Sequence, residues 1–322
     1  RVVHGARGFC NINIEAVMVE YIRKHYGHRR IAIVDTDCHH GDGTQDIFWH
    51  DPDTLFISVH QDGRTLYPGT GFPKEMGGPN AYGYTVNIPL PPETSEEGFL
   101  FALDNLILPV LDDFKPDIII NSAGQDNHYS DPITNMNFTA QGYAILTDRL
   151  KPHIAVLEGG YSVETALPYI NVGIILALAG VDYRYVKEPD YDPATLKQDA
   201  DVTDYIERLV PALYSQWQRR DELRPRGENE SFEKRSKSVY YDTDNIHEEQ
   251  IETIRFCDEC GGLITIDSMA NTGNRIFAVI VPGRACPACR QEGENIFGVT
   301  QPGGAYRYVY FQDRERDLFI RK

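Results

Sequence analysis

The stretch Ile31-Ala-Ile-Val-Asp35-Thr-Asp37-Cys-His39-His40-Gly-Asp42-Gly43 decides how this chain is read. Its aliphatic run predicts a buried strand from Ile31 to Asp35, and alternate residues leave a strand on the same side. Asp35, Asp37 and His39 therefore project together from the strand's end. Two carboxylates and an imidazole converging there repel one another or stay unpaired unless a cation stands among them, so the segment reads as a metal-ligand set. Asp and His at a strand end also serve as turn and cap residues, and Gly41 and Gly43 as ordinary loop residues. The neighbouring segments bear on the choice.

Before this stretch, Ile14, Val17, Met18, Tyr21 and Ile22 recur at helical spacing and predict an amphipathic helix from Asn13 to about His25. After it, strands are expected at Thr54 to Val59, Tyr84 to Pro89, Asp117 to Asn121 and Ile154 to Leu157. Helices are expected at Thr44 to Trp49, Glu96 to Phe114 and Thr139 to Leu150, with another after Val163. Unbroken aliphatics such as Ile118-Ile119-Ile120 mark strands covered on both faces, hence an α/β fold with a parallel sheet layered between helices. Such sheets place their sites beyond the carboxyl ends of the strands. Two further strand ends carry residues suited to chemistry. Asn121-Ser-Ala-Gly124-Gln125-Asp126 offers a carboxylate, and Leu157-Glu158-Gly159-Gly160-Tyr161 offers a phenol able to donate to a developing oxyanion. Either alone also reads as a solvated loop; the conjunction favours hydrolytic metal chemistry.

With 322 residues, of which 41% are hydrophobic and 25% charged, the chain has room for one substantial core and a smaller appendage. No apolar run approaches membrane-spanning length, so a soluble protein with no membrane partner is expected. A formal charge of -17 disfavours direct nucleic-acid binding. Composition turns polar after Tyr185. The expected domains are an α/β unit over 1–185, a charged linker over 186–250 with one helix from Pro193 to Arg220, and a tail over 251–322 of short strands around cysteines. In that tail Cys257-Asp-Glu-Cys260 and Cys286-Pro-Ala-Cys289, with 25 residues between the pairs, have the spacing of a zinc ribbon, a closed structural site of four thiolates. This cysteine usage points to a reducing compartment and so to a cytoplasmic location. The ribbon is expected to mediate protein or oligomer contacts.

Gly8-Phe9-Cys10, the Asp35 to Gly43 stretch, Tyr67-Pro68-Gly69-Thr70-Gly71, Asn87-Ile88-Pro89-Leu90, Ala123 to Pro132 and Leu157 to Tyr161 stand in an order and spacing that resemble one family. It is the superfamily of histone deacetylases, acetoin utilisation proteins and acetylpolyamine amidohydrolases, and Leu-Glu-Gly-Gly-Tyr is most like its bacterial and class II branches. The resemblance runs from Gly8 to about Gly180. It implies an arginase-like fold and a zinc-dependent deacetylase that hydrolyses the amide of acetyl-lysine, or alternatively of an acetylated polyamine, by metal-activated water. Asp37, His39 and Asp126 would hold the catalytic zinc. Asp35 and Asp42 would be the carboxylates behind the catalytic histidines, with Asp35, Ser58 and Val59 also holding a monovalent cation such as K+. Tyr161 would polarise the scissile carbonyl, and Gly8, Phe9 and Tyr67 would line the tunnel that grips the acyl-lysine stem. Two carboxylates and a neutral imidazole leave zinc formally neutral with open positions, as such chemistry requires.

The chain departs from the family in one respect. The general base belongs to a His-His pair shortly before Gly-Phe-Cys, and here only His4 stands in that region. The chain is therefore expected to be truncated at its N-terminus. By itself it is read either as part of an enzyme or as a non-catalytic module that holds zinc without turnover.

Overall fold

In the computed structural model, which describes residues 8–78, 81–193, 196–224, 232–241, 244–257, 259–260 and 262–322, Asn13 caps the first helix, its side chain accepting the Ala16 N–H at 2.7 Å. His4 lies outside the described residues. Helix α1 (Ile14–Tyr26) is followed by β1 (Ile31–Asp35), α2 (Asp42–Phe48), β2 (Thr54–Gln61) and β3 (Thr85–Leu90). Next come α3 (Glu96–Ala102), a π-helical turn (Leu103–Ile107), α4 (Leu108–Phe114), β4 (Ile118–Ala123), α5 (Ala140–Leu150), β5 (Ile154–Leu157) and α6 (Leu167–Leu178). The helix expected from Glu96 to Phe114 is continuous in course but widened before Pro109, which has no N–H to give back to the preceding turn.

The five strands form one parallel sheet in the order β3-β2-β1-β4-β5. Side chains alternate across it as strand geometry demands. Ala32 and Val34 enter a large core with Phe99, Leu106, Leu146 and Ile170 on one face, while Ile31 and Ile33 pack with Val19, Ile22 and Phe56 on the other. Each fully buried aliphatic of this kind stabilises the fold by about 1.5–3 kcal/mol. Pro89, which cannot donate to a ladder, sits in β3 at the sheet edge. The opposite edge, β5, is only partly covered, and Leu157 is exposed.

The span expected to be a linker contributes to both units. Helix α7 (Ala200–Gln218), followed by the short α8 (Arg220–Leu223), lays Ile206, Val210, Leu213 and Trp217 into the large core of the parallel sheet. Trp217 Nε1 donates to Asp113 at 2.9 Å. The Arg224 to Ser231 run lies outside the described residues from 225 onward. The chain then forms β6 (Phe232–Tyr241), β7 (Ile246–Arg255), β8 (Leu263–Ala270), β9 (Arg275–Val281), α9 (Pro287–Val299), β10 (Tyr308–Asp313) and β11 (Leu318–Arg321). These strands make a separate sheet in the order β11-β10-β9-β8-β7-β6, antiparallel except between β9 and β10. This unit is compatible with a zinc ribbon, but its strands are longer than the short ones expected. One face is covered by Ile296 and Phe297 of α9. Polar contacts join the two units: Lys237 to Asp46, the Arg235 guanidinium 4.3 Å over the Trp49 ring, and Arg314 Nη1 to the Ile47 carbonyl at 2.9 Å.

Candidate active site

Because β1 and β4 are paired in parallel, with Asp35 opposite Ser122, their carboxyl ends open at the same level and the two following turns meet. Asp37 and His39 come from the first turn and Asp126 from the second. Ligand-type atoms of these three side chains lie within 4.8 Å of one another. His39 Nδ1 is 2.7 Å from Asp126 Oδ2 and 3.4 Å from Asp37 Oδ1.

Backbone donors aim the carboxylates. Asp37 accepts the His39 N–H at 2.8 Å and the Gly159 N–H at 2.9 Å, and Asp126 accepts the Cys38 N–H at 2.8 Å. Close approach of backbone makes glycine necessary at two of these walls, since a Cβ at Gly159 or Gly124 would run into the Asp37 carboxylate. Burial disfavours charge on His39, but hydrogen bonds to Asp126 and Asp37 outweigh it and raise the imidazole to about 10. Asp126 is raised to about 7 by burial and by the charge of Asp37. Two carboxylates and an imidazole at this separation are a donor set that fits a divalent cation.

Around this cluster lies a cavity of about 1070 Å3. Gly8, Phe9, Tyr67 and Tyr161 all line it, and Asp35 and Asp42 line it too. The Phe9 and Tyr161 rings meet edge to face with centroids 6.2 Å apart, and Phe9 is 79% exposed, so the aromatic wall on that side stands open. Burial and then the charges of Asp126 and Asp37 push the Tyr161 phenol well above its ordinary value, keeping it a proton donor at neutral pH. Asp35 is buried and accepts the Asp37 N–H at 3.1 Å. Burial, with the charges of Asp37 and Glu15, raises it well above the usual carboxylate range. Asp42 occupies the first turn of α2, where the helix dipole favours a carboxylate. Ser58 and Val59 are buried at the end of β2, with Ser58 Oγ 2.9 Å from His60 Nδ1.

Sequence reasoning missed two acids in the same cavity. Glu15 is buried on α1, accepts from Thr44 Oγ1 at 3.5 Å and from Ser122 Oγ, and is raised above its ordinary value by burial. Its signal was legible: it shares a helical stripe with Val19 and Ile22, where an apolar residue is the rule. Glu158 is pushed up to about 8 by burial and then by the charges of Glu15 and Asp37.

The four cysteines form the other candidate metal centre. Cys257 and Cys260 lie between β7 and β8, and Cys286 caps α9 with Cys289 in its first turn. Their sulfurs lie within 4.8 Å of one another, with Cys257 Sγ and Cys286 Sγ 3.8 Å apart. Tetrahedral thiolates at the ordinary zinc–sulfur distance stand about 3.8 Å apart. N–H groups of Gly262 and Cys289 donate to Cys260 and Cys286 at 3.3 and 3.5 Å, which suits thiolate charge.

Known proteins are similar to part of this chain. A probable deacetylase of Archaeoglobus fulgidus is 52% identical over 204 residues, covering 60% of this chain and 56% of its own length. The acetoin utilization protein AcuC of Bacillus subtilis is 38% identical over 196 residues, covering 58% of this chain and 50% of its own. Among solved structures, an acetylpolyamine aminohydrolase from Burkholderia pseudomallei superposes with a TM-score of 0.52 and 34% identity, over 55% of this chain and 54% of that one. This chain thus spans about half the length of the curated relatives it matches. The description of the histone deacetylase domain matches residues 3–173, more than half of the sequence, and the chain belongs to the histone deacetylase family.

Proposed function

We propose that this chain carries the site of a zinc-dependent deacetylase that hydrolyses the amide of an acetylated lysine. The observation that carries the reading is the convergence of Asp37, His39 and Asp126 beneath a cavity that Tyr161 also lines. Zinc bound by these three residues would act as a Lewis acid toward the acyl oxygen and would activate water. Phe9 and Tyr67 offer apolar faces to an aliphatic stem, and Gly8 offers backbone between them. Tyr161, protonated at neutral pH, donates its O–H where charge builds on the acyl oxygen. Asp35 and Asp42 supply carboxylates behind the ligand turn that would partner catalytic histidines, and Ser58 and Val59 would brace that turn through a monovalent cation. The Cys257, Cys260, Cys286 and Cys289 site would hold a structural zinc in a ribbon-like unit, the part suited to protein or oligomer contacts. No helix among the described residues is long and apolar enough to cross a membrane; a cytoplasmic location is our proposal from the thiol usage.

A specific observation favours a second substrate. Glu15, Glu158 and Asp35 line the cavity, and a cationic amine entering it would draw these acids toward their charged forms, which suits an acetylated polyamine. Acetyl-lysine peptide and acetylspermidine assayed in parallel on the zinc-loaded chain separate the two. Acetate release from the peptide, falling roughly 100-fold in Tyr161→Phe, is the expected result. Preference for acetylspermidine would move the assignment to polyamines. Binding of the peptide with no release would make the chain a non-catalytic module.

A further inference from the structure

Tyr161 follows a Gly-Gly turn in which Gly160 adopts φ +143, so little in its own segment fixes where the phenol stands. The restraint comes from elsewhere. Asp131 Oδ2 accepts the Tyr161 N–H at 2.8 Å, and Ser130 Oγ lies 2.7 Å from Ser162 Oγ, one residue beyond the tyrosine. Ser162 Oγ is in turn 2.7 Å from Thr165 Oγ1. Both Ser130 and Asp131 belong to the turn after β4, and that turn is pinned by His128. Its Nδ1 accepts the Ser130 N–H at 3.2 Å and lies 2.8 Å from Ser130 Oγ. With Nδ1 accepting from Ser130, the ring's other nitrogen, Nε2, is the donor and points at Glu188 Oε1 at 3.1 Å. The two side chains are 1% and 2% exposed. Burial alone would raise Glu188, but the hydrogen bond from His128 and backbone donors hold it below its ordinary value, so it remains an acceptor.

We propose that Glu188, outside every motif of the site and within the span expected to be a linker, is a positioning residue for Tyr161, acting through His128, Ser130 and Ser162. Its consequence for turnover rests on the deacetylase reading, whereas its effect on the place of the phenol does not. The test puts 3-fluorotyrosine at position 161 alone and records its fluorine resonance in the chain, in Glu188→Gln and in Glu188→Leu. Gln keeps an acceptor for His128 and should keep the single narrow line. Leu should shift or split that line, with at least a twofold gain in width. An unchanged line in folded Glu188→Leu overturns the proposal. Should that variant not fold, Ser162→Ala breaks the path beside the tyrosine while sparing the buried pair, and the same two results decide.

Turnover gives a second readout. Glu188→Leu should lower kcat about tenfold with KM within twofold, and in a Tyr161→Phe background it should lower kcat no further. A full additional loss in that background would show action through another group and overturn the proposal. A chain that turns over neither acetylated substrate sinks the deacetylase reading, and the fluorine result still decides the role of Glu188.

Discussion

A methyl group added at Gly159 would stand 2.6 Å from Asp126 Oδ2 and 2.7 Å from Asp37 Oδ2. Gly159→Ala should therefore push the two carboxylates apart, at a stability loss of roughly 1–3 kcal/mol. Metal analysis should show zinc lost from this site and retained on the cysteines. The protons on the same side chains give a second prediction. A cation needs neutral imidazole, and in the metal-free chain His39 holds its proton up to about 10. Zinc must displace that proton at any lower pH, so the apparent affinity should fall about tenfold for each pH unit below that value. Below about 7, where Asp126 also takes a proton, the fall should steepen. Competition titrations with a zinc chelator at pH 6.5, 7.5 and 8.5 read both slopes, and an affinity independent of pH would contradict the arrangement. Most of these residues were legible in the sequence because a strand period and three strand ends select them. Glu15 was legible as a polar break in the apolar stripe of α1 but was not recognised, and Glu158 and Glu188 were not recognised because nothing near them in sequence says what they face.

At the scale of elements, helix α7 shows what a periodic pattern can and cannot tell. Ile206, Val210, Leu213 and Trp217 recur at helical spacing, and a helix over this span was expected. Where its apolar stripe goes was not, because the surrounding composition is charged and reads as a connection. The stripe closes the large core beside Phe99 and Val110, and Trp217 is 2% exposed. Trp217→Ala should destabilise the parallel-sheet unit by roughly 3–5 kcal/mol, measured by denaturant unfolding. A change under 1 kcal/mol would return α7 to the status of a loose connection. Helix α2 is the element that joins the site to the second sheet. Asp42 and Thr44 of its first turn line the cavity, and Asp46 meets Lys237 of β6. Burial would raise Asp46, but the Lys237 charge holds it below its ordinary value.

For the molecule as a whole, two candidate metal sites, one beside each sheet, predict a divisible metal content. Loaded chain should hold about two zinc ions. Cys257→Ser should lose one of them and loosen the second sheet, and Asp126→Ala should lose the other with the fold retained. Release of the same ion by both substitutions would refute two independent sites. The sequence alone determined the parallel sheet and the order of its motifs and singled out the two candidate ligand sets, because strand alternation, helical periodicity and cysteine spacing are local properties of the chain. Tertiary structure decided which strands stand side by side, that α7 completes the α/β core, that β6 belongs to the second sheet, and which acids share the site. Those are contacts between residues far apart along the chain, and they are selected by the packing of surfaces that no local pattern records.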